Sequence, residues 1–517
     1  MNNSLTASNP TTKDFSSAAL ITLFLDYADR YPEYPAIITG EERISYDELA
    51  KRAKQLAHYL LQLGVKDETP VGILFNAGIE QIICQVAVLL AGGTCVPLNV
   101  SAPDERLNFM LAEVEVRFTF ADAFTATRAL HTQFISLDAG QPLAPVNVEL
   151  PGVKMKPDHR THIFFTSGST GRPKAVEVEA RGIMRLVVNT CYLDLSIDDR
   201  FGNISSPDFD ASLLEIWGAL LNGAAIVIIP RHILLDPDML ADLMFCNNVS
   251  ILMITPSLFN FIVSQCPTAF RTLNYLMIGG EMFNLKAYGL LPAIERPKHI
   301  YHVYGTTEDT TFTLYHPIVA DDINTGNVPI GQPIDNTYIF ILDDRLQPTS
   351  EGVIGEICIG GDGLSRGYYN QPDLTAEKFI YVKLNGDSNA RRLYKTGDLG
   401  WKKANGDFMF TGRKNNIIKL QGYRIEAEEI EVQLMDSGML QAAIVCGIHQ
   451  DGEEGYLMAF IVPKAAENFS VSQLMNELKQ RLPDYMLPRL QIVDRIPLTS
   501  SGKADRLYLI EQSRIAR

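Results

Sequence analysis

The stretch Ile163-Phe164-Phe165-Thr166-Ser167-Gly168-Ser169-Thr170-Gly171-Arg172-Pro173-Lys174 sets the reading of the whole chain. Its first three residues are apolar and bulky, as at the end of a buried strand. The loop that follows packs hydroxyls, glycines and a lysine into nine residues, Thr166–Lys174. Glycines let backbone N–H groups approach an anion, hydroxyls add short-range donors, and Lys174 adds positive charge. A polyphosphate is the ligand that suits such a loop. The spacing is not that of a Walker A motif, in which G-x-x-x-x-G-K-[ST] is required. A flexible Gly/Ser-rich surface loop is the plainer alternative.

Outward from this loop, strand and helix patterns alternate. Leu49, Ala53, Leu56, Leu60 and Leu63 form a helical stripe that Gly64 can end, and Val71–Leu74 and Gly92–Val96 read as short strands. The alternation runs to about residue 335, which implies layered α/β structure with largely parallel sheets. From Tyr338 to about residue 411, short apolar runs broken by Gly, Asp and Asn predict a β-rich, barrel-like part. The polar run Gly412-Arg413-Lys414-Asn415-Asn416 follows, then a helix at Glu426–Leu434, strands near Ala443–Ile448 and Leu457–Val462, and a helix at Val471–Arg481. The expected fold is therefore α/β: a disordered leader at 1–16, a large N-terminal domain at 17–412, and a small mobile α+β domain at 413–517.

Composition narrows the class of partner. The 517 residues carry 61 acidic and 45 basic side chains, a net charge of −16. That argues against nucleic acid and anionic membrane, which need a basic field. No apolar run reaches membrane-spanning length, and the polar N-terminus lacks the pattern of a signal peptide. Seven dispersed cysteines without a CxxC suit reduced thiols in a cytoplasm, with neither a disulfide framework nor a zinc site.

Four further segments bear chemistry. In Tyr304-Gly305-Thr306-Thr307-Glu308, a hydroxyl and a carboxylate after a tight turn can serve a nucleotide and its Mg2+, which needs only one or two carboxylates beside phosphates; an exposed hairpin turn is the alternative. Asp398, after Lys395-Thr396-Gly397, can accept from two ribose hydroxyls or simply stabilise its turn. Arg413 can reach a phosphate from the domain boundary, or be a solvated linker residue. Lys503, in Thr499-Ser500-Ser501-Gly502-Lys503, can be swung into a distant site or remain on the surface.

Taken together, the order and wording of these segments resemble the adenylation domains of nonribosomal peptide synthetases, within the acyl-adenylate-forming superfamily. Supporting matches are Ile44-Ser45-Tyr46-Asp47-Glu48-Leu49, Leu90–Leu98, Gly355-Glu356-Ile357, Ser365-Arg366-Gly367-Tyr368 and Leu482–Pro488, so the resemblance covers about residues 17–507. It implies ATP as co-substrate. Thr166, Ser167, Gly168, Ser169, Thr170, Gly171 and Lys174 would hold the β- and γ-phosphates. Thr307 and Glu308 would serve the α-phosphate and Mg2+, Tyr304 would lie near adenine, and Asp398 would bind ribose with Arg413 close by. Lys503 would bridge the substrate carboxylate and phosphate, offsetting their repulsion. The chain departs from the family at Thr306 (usually Pro), Ala180 (usually His) and Asn415 (usually Asp, at the hinge). The last bears on domain rotation, not on the first half-reaction.

Phe209-Asp210-Ala211-Ser212-Leu213-Leu214-Glu215-Ile216 matches the family's pocket-forming motif. Ser212-x-x-Glu215 reads as a capping box, with Leu213, Ile216, Trp217, Leu220 and Leu221 as core stripe and Leu214 free to face a pocket. By the resemblance, Asp210 pairs with the α-ammonium of an amino acid, which acids without an amine would leave unpaired. Ala211, Leu214, Met253, Met277, Gly279, Val303, Thr311 and Phe312 would line the side-chain pocket. It has no second charge and is apolar, which points to valine first, then isoleucine, leucine or 2-aminobutyrate, with phenylalanine open and some promiscuity, since a methylene discriminates by only about 1–3 kcal/mol. No carrier or condensation motif occurs in the sequence. The expectation is a free-standing enzyme, or a domain cut from a larger synthetase, that loads the phosphopantetheine of a peptidyl carrier protein. A monomer is expected, and an MbtH-like helper is an open partner. Competing readings are a D-alanine–carrier protein ligase, an acyl-CoA ligase, and a non-catalytic degenerate domain.

Overall fold

The computed structural model describes residues 13, 20–137, 155–168, 171–383, 389–414, 416–448, 455–464, 469–497 and 504–515. Two mixed sheets form the N-terminal layers. The six-stranded sheet runs in the order Gln133–Ser136, Phe118–Ala121, Pro70–Leu74, Thr94–Pro97, Arg160–Thr166, Lys174–Glu179. All neighbours in it are parallel except the last pair, which is antiparallel. The nine-stranded sheet runs Gln332–Pro333, Leu314–Pro317, His299–Tyr304, Tyr275–Gly279, Ile251–Ile254, Arg200–Asn203, Ala225–Ile228, Pro35–Thr39, Glu42–Ser45. Its central strands are parallel and nearly continuous in apolar residues, because both faces are covered.

Local rules explain the helices that fill these layers. Tyr46–Gln62 begins at Ser45, whose Oγ accepts from Glu48 N, and carries Asp47 and Glu48 in its first turn; Gly64 lies just beyond its end at φ 86°. Ile79–Leu90 and Ser212–Leu220 are buried almost all round and form the common core of the two sheets, with Phe24, Phe164 and Trp217. The second helix therefore has no stripe: Leu214 is as buried as Leu213.

The β-rich segment folds as an antiparallel sheet, Thr337–Leu342, Gly355–Gly361, Arg391–Lys402 and Phe379–Val382 in order, with Phe408–Arg413 beside Arg391–Lys402. Beyond it lie the hairpin Ile417–Leu420/Tyr423–Glu426, the helices Ala427–Asp436 and Val471–Arg481, and the sheet Leu440–Ile448, Tyr456–Pro463, Arg489–Ile492, with a core of their own. Lys13 in the polar leader bonds Asp335 and Asn336. Among the described residues no helix is long and apolar enough to cross a membrane.

One local expectation fails. Ser212 and Glu215 do not form a capping box: the helix starts from a turn at Phe209–Ser212, with Ala211 already helical, and Ser212 Oγ donates to Phe209 O. Glu215 instead takes Asn203 Nδ2 and the Ser205 hydroxyl, 2.6 and 2.7 Å away, tying the helix to the end of strand Arg200–Asn203. Buried donors outcompete a local cap.

Candidate active site

The phosphate-type loop is the turn between strands Arg160–Thr166 and Lys174–Glu179, and its ends are held together by the cross-strand partners Thr166 and Lys174. Two of its glycines are demanded by geometry. A Cβ on Gly168 would fall 2.1 Å from Arg172 O, and Gly171 has φ +81° with the Val432 side chain pressed against it. Ser169 and Thr170 lie outside the described residues. Thr166 Oγ1 is buried with no hydrogen-bond partner among the described residues.

Around this loop the structure assembles groups from distant parts of the chain. Lys174 Nζ lies 2.5 Å from Glu426 Oε1 and 5.5 Å from the Tyr368 ring centroid. Burial pulls the Lys174 pKa down, and Arg424 adds to this. Gly168 N donates to Glu429 Oε2 at 2.9 Å, and Glu429 is also paired with Arg106. Ser167 Oγ donates to Arg424 O and accepts from Glu426 N.

Glu308 sits in a 3-10 turn just after strand His299–Tyr304 and is fully buried. Arg424 Nη1 bonds both of its oxygens, at 3.0 and 2.8 Å, and Tyr368 donates to it at 2.8 Å. Burial alone would raise its pKa, but Arg424 and Lys174 hold it at about 2. Thr306 is extended at φ −141°, a value proline does not reach, so the departure at this position has a backbone consequence. Its Oγ1 is buried and unpartnered.

Tyr304 donates through its hydroxyl to Asp398 Oδ2, and Arg413 Nε lies 2.8 Å from Asp398 Oδ1. The structure thus brings Tyr304, Asp398 and Arg413 together. Lys419 joins them, 5.5 Å from the Tyr304 ring centroid; burial and the nearby Arg413 push its pKa down to about 8.

The pocket residues also converge. Met253 pairs with Met277 and Gly279 with Val303 in adjacent parallel strands, so alternation puts all four on one face of the sheet. A Cβ at Gly279 would meet Val303 Cγ2 at 2.5 Å. Leu214, Met277, Val303 and Phe312 share one core cluster, with Met253 partly buried against it. Thr311 Oγ1 donates to Asp210 O at 2.8 Å and has φ 71°. Asp210 is buried with Oδ2 unpartnered among the described residues; burial raises its pKa to about 6, against a hydrogen bond from Thr307. Ala211 is buried beside it. Lys503 lies outside the described residues.

Several residues here were not legible as site residues. Arg424, Glu426 and Lys419 arrive on the hairpin whose turn is Gln421-Gly422, both in the left-handed region; a two-residue turn of this kind between apolar-alternating runs was the available signal. Arg185, wholly buried, donates to the carbonyls of Asp309, Thr310 and Phe312 and to Thr337, and so fixes the wall that carries Thr311 and Phe312. No local pattern marks it.

Residues 24–369 match the AMP-binding enzyme profile, and residues 429–503 that of the AMP-binding enzyme C-terminal domain. The nonribosomal peptide synthetase asaC of Aspergillus flavus is 38% identical over 502 residues, 96% of this chain and 49% of that protein. Tyrocidine synthase 3 of Brevibacillus parabrevis is 34% identical over 492 residues, 95% of this chain and 8% of that protein. The chain thus spans about half, or much less, of these curated relatives. Among solved structures, holo-PA1221, an NRPS protein containing adenylation and PCP domains bound to a vinylsulfonamide inhibitor, aligns with TM-score 0.87 at 30% identity, covering 96% of this chain and 85% of that one. The artificially fused adenylation–PCP di-domain NpsA-ThdA from Klebsiella oxytoca aligns with TM-score 0.80 at 26% identity, covering 92% and 86%.

Proposed function

From the premise that this chain belongs to the AMP-binding enzyme family, we propose that it activates an α-amino acid with ATP, forming aminoacyl-AMP and pyrophosphate, and then passes the aminoacyl group to the phosphopantetheine thiol of a carrier protein. One observation carries the amino-acid part: the buried Asp210 carboxylate, with Oδ2 left unpartnered among the described residues and the apolar pocket lining close by. An α-ammonium is its natural complement, and a substrate without one would leave the charge unpaired at high cost. The lining by Leu214, Met253, Met277, Val303 and Phe312 supports an aliphatic side chain, valine first.

The residues present fit the nucleotide. Thr166 and Thr306 offer unpartnered buried hydroxyls, and Arg413 an unpartnered Nη1. Ser167, Gly168, Gly171 and Lys174, with Ser169 and Thr170, would hold the β- and γ-phosphates; Thr307 would serve the α-phosphate, Tyr304 adenine and Asp398 ribose. Glu308 would hold Mg2+, which when bound neutralises phosphate charge. Lys503 would bring the substrate carboxylate to the α-phosphate. No covalent enzyme intermediate is required; catalysis is alignment and charge neutralisation.

For the carrier, support comes from the adenylation–PCP neighbours. A monomer is proposed.

The test is amino-acid-dependent ATP–pyrophosphate exchange over the proteinogenic amino acids, D-alanine, 2-aminobutyrate and several fatty and aryl acids. Exchange peaking on branched aliphatic amino acids, and lost in Asp210→Ala, supports the reading. Exchange only with amine-free acids makes the chain an acyl-CoA-type ligase, and a D-alanine optimum makes it a D-alanine ligase. Silence on every substrate, with and without an MbtH-like helper, points to a non-catalytic domain.

A further inference from the structure

Residues 365–369 run between the strand that leaves the phosphate-type loop and the turn that carries Glu308, and they bond both. The segment lies antiparallel to strand Lys174–Glu179, with Tyr368 bridged to Val176. Arg366 N donates to Glu177 O, Glu177 N to Gly367 O and Tyr369 N to Ala175 O. At the other end Ser365 N donates to Glu308 O at 2.9 Å. Two arginines lock the segment from outside. Arg366 forks onto both oxygens of Glu68 at 2.7 Å and reaches Glu179 and the Asp158 carbonyl. Arg392 donates to the carbonyls of Ser365 and Arg366. Fork geometry of this kind fixes orientation as well as distance.

What the segment presents is Tyr368, which is buried. Its hydroxyl donates to Glu308 Oε1 at 2.8 Å, and its ring lies 5.5 Å from Lys174 Nζ. Phe379 meets the ring edge-on and Thr375 Oγ1 accepts from Tyr368 N, so the side chain is packed as well as bonded. We propose that Tyr368 is a positioning residue for the nucleotide and its metal, one side chain that sets the carboxylate for Mg2+ and the cation for phosphate relative to each other. The proposal rests on the nucleotide reading above. Mg2+ demands near-ideal geometry, so a carboxylate that holds it needs an outer partner to orient it. A phenol on Oε1 orients Glu308 without bringing a charge of its own. The negative face of the ring likewise attracts the Lys174 ammonium without neutralising it. Both charges therefore stay available to a ligand. The Ser365 bond to Glu308 O steadies the main chain of the same residue.

The experiment is calorimetric titration of the full chain, of Tyr368→Phe and of Tyr368→Leu with ATP, once in Mg2+ and once in EDTA. Phenylalanine keeps the ring and removes the hydroxyl. It should weaken ATP in Mg2+ roughly tenfold or more, the usual effect of losing an outer hydrogen bond to a metal-holding group, and leave ATP in EDTA unchanged. Leucine removes the ring as well, and should weaken ATP in EDTA by roughly two- to fivefold, the size of a cation–π contact. A Tyr368→Phe variant with full affinity in Mg2+, or with an equal loss in EDTA, overturns the proposal. A Tyr368→Leu variant that matches Tyr368→Phe in EDTA overturns the part assigned to Lys174. Unchanged binding in EDTA also certifies that Tyr368→Phe is folded. If the wild-type chain binds ATP in neither medium, the nucleotide reading itself falls. Wild-type binding that gains nothing from Mg2+ removes Glu308 as the metal carboxylate, and the proposal with it.

Discussion

The rings of Tyr423 and Tyr485 stack face to face, with centroids 3.8 Å apart and planes 7° from parallel, and Tyr423 meets Phe209 edge-on at 5.9 Å. The tip of the C-terminal hairpin is thereby clasped between a 3-10 turn of its own half and the residue preceding Asp210. Three rings thus join the hairpin to the residue next to Asp210.

This clasp should matter for the second half-reaction more than for the first. An aromatic pair contributes about 0.5–1.5 kcal/mol beyond area burial. Tyr423→Ala is expected to slow carrier loading by roughly 2- to 12-fold, the same energy expressed as a rate. Tyr423→Phe should retain loading, since the stack uses the ring alone. Comparing carrier-loading rates with pyrophosphate exchange rates checks this; an equal loss in both would deny the clasp a role specific to transfer.

Amino-acid affinity should depend on pH through Asp210. Its pKa is raised from 3.8 to about 6 in the fold. A raised carboxyl means the fold favours the protonated form, so this group withdraws stability as pH rises from 3.8 to about 6. An ammonium requires the ionised form, so affinity is lost as pH falls through the same window. The KM for valine should rise about fivefold between pH 6 and pH 5, because a carboxyl with a pKa of about 6 goes from about half ionised to about a tenth ionised over that unit. Asp210→Asn should bind weakly with a flat profile, measured as KM for valine against pH with the KM for ATP as control.

Arg185 should act as a positioning residue for the pocket wall. It is wholly buried and bonded to the carbonyls of Asp309, Thr310 and Phe312. Two consecutive residues there, Thr310 and Thr311, are held at φ 53° and 71°. Arg185 Nη1 also lies 3.6 Å from the buried Asp309 Oδ2, so Arg185→Met strands that carboxylate and should cost about 3–5 kcal/mol of stability. Arg185→Lys keeps the charge and loses the fork, so a several-fold rise in KM for valine with the KM for ATP unchanged is expected, followed by steady-state kinetics and thermal unfolding.

The sequence spoke clearly where a function is written into contiguous residues. The loop around Gly168 and Gly171 is legible because Gly168 has no room for a Cβ and Gly171 sits at φ +81°. Asp210 is legible only through the resemblance carried by Phe209–Ile216, since Asp208 and Glu215 stand close by in the sequence. Ser212 and Glu215 misled because a local cap pattern says nothing of Asn203 and Ser205, donors supplied by another element. Arg424, Glu426 and Arg185 were invisible for the same reason. Glu426 meets Lys174 across 252 residues of chain, and a buried arginine reads in sequence like any solvated one.

Gly171 carries a second obligation. Its φ of +81° suits a turn that cradles an anion, yet the atom nearest a would-be Cβ is Val432 Cγ1, at 2.6 Å, on the helix Ala427–Asp436. A saturation map of this loop would superimpose two footprints, one of ligand and one of docking. Intolerance at Gly171 would be credited to nucleotide chemistry, although a methyl group there is also a wedge between two halves of the molecule. Trimming Val432 to alanine would isolate one part: any Gly171 substitution it rescues belongs to docking, and what it fails to rescue belongs to the ligand or to the left-handed backbone.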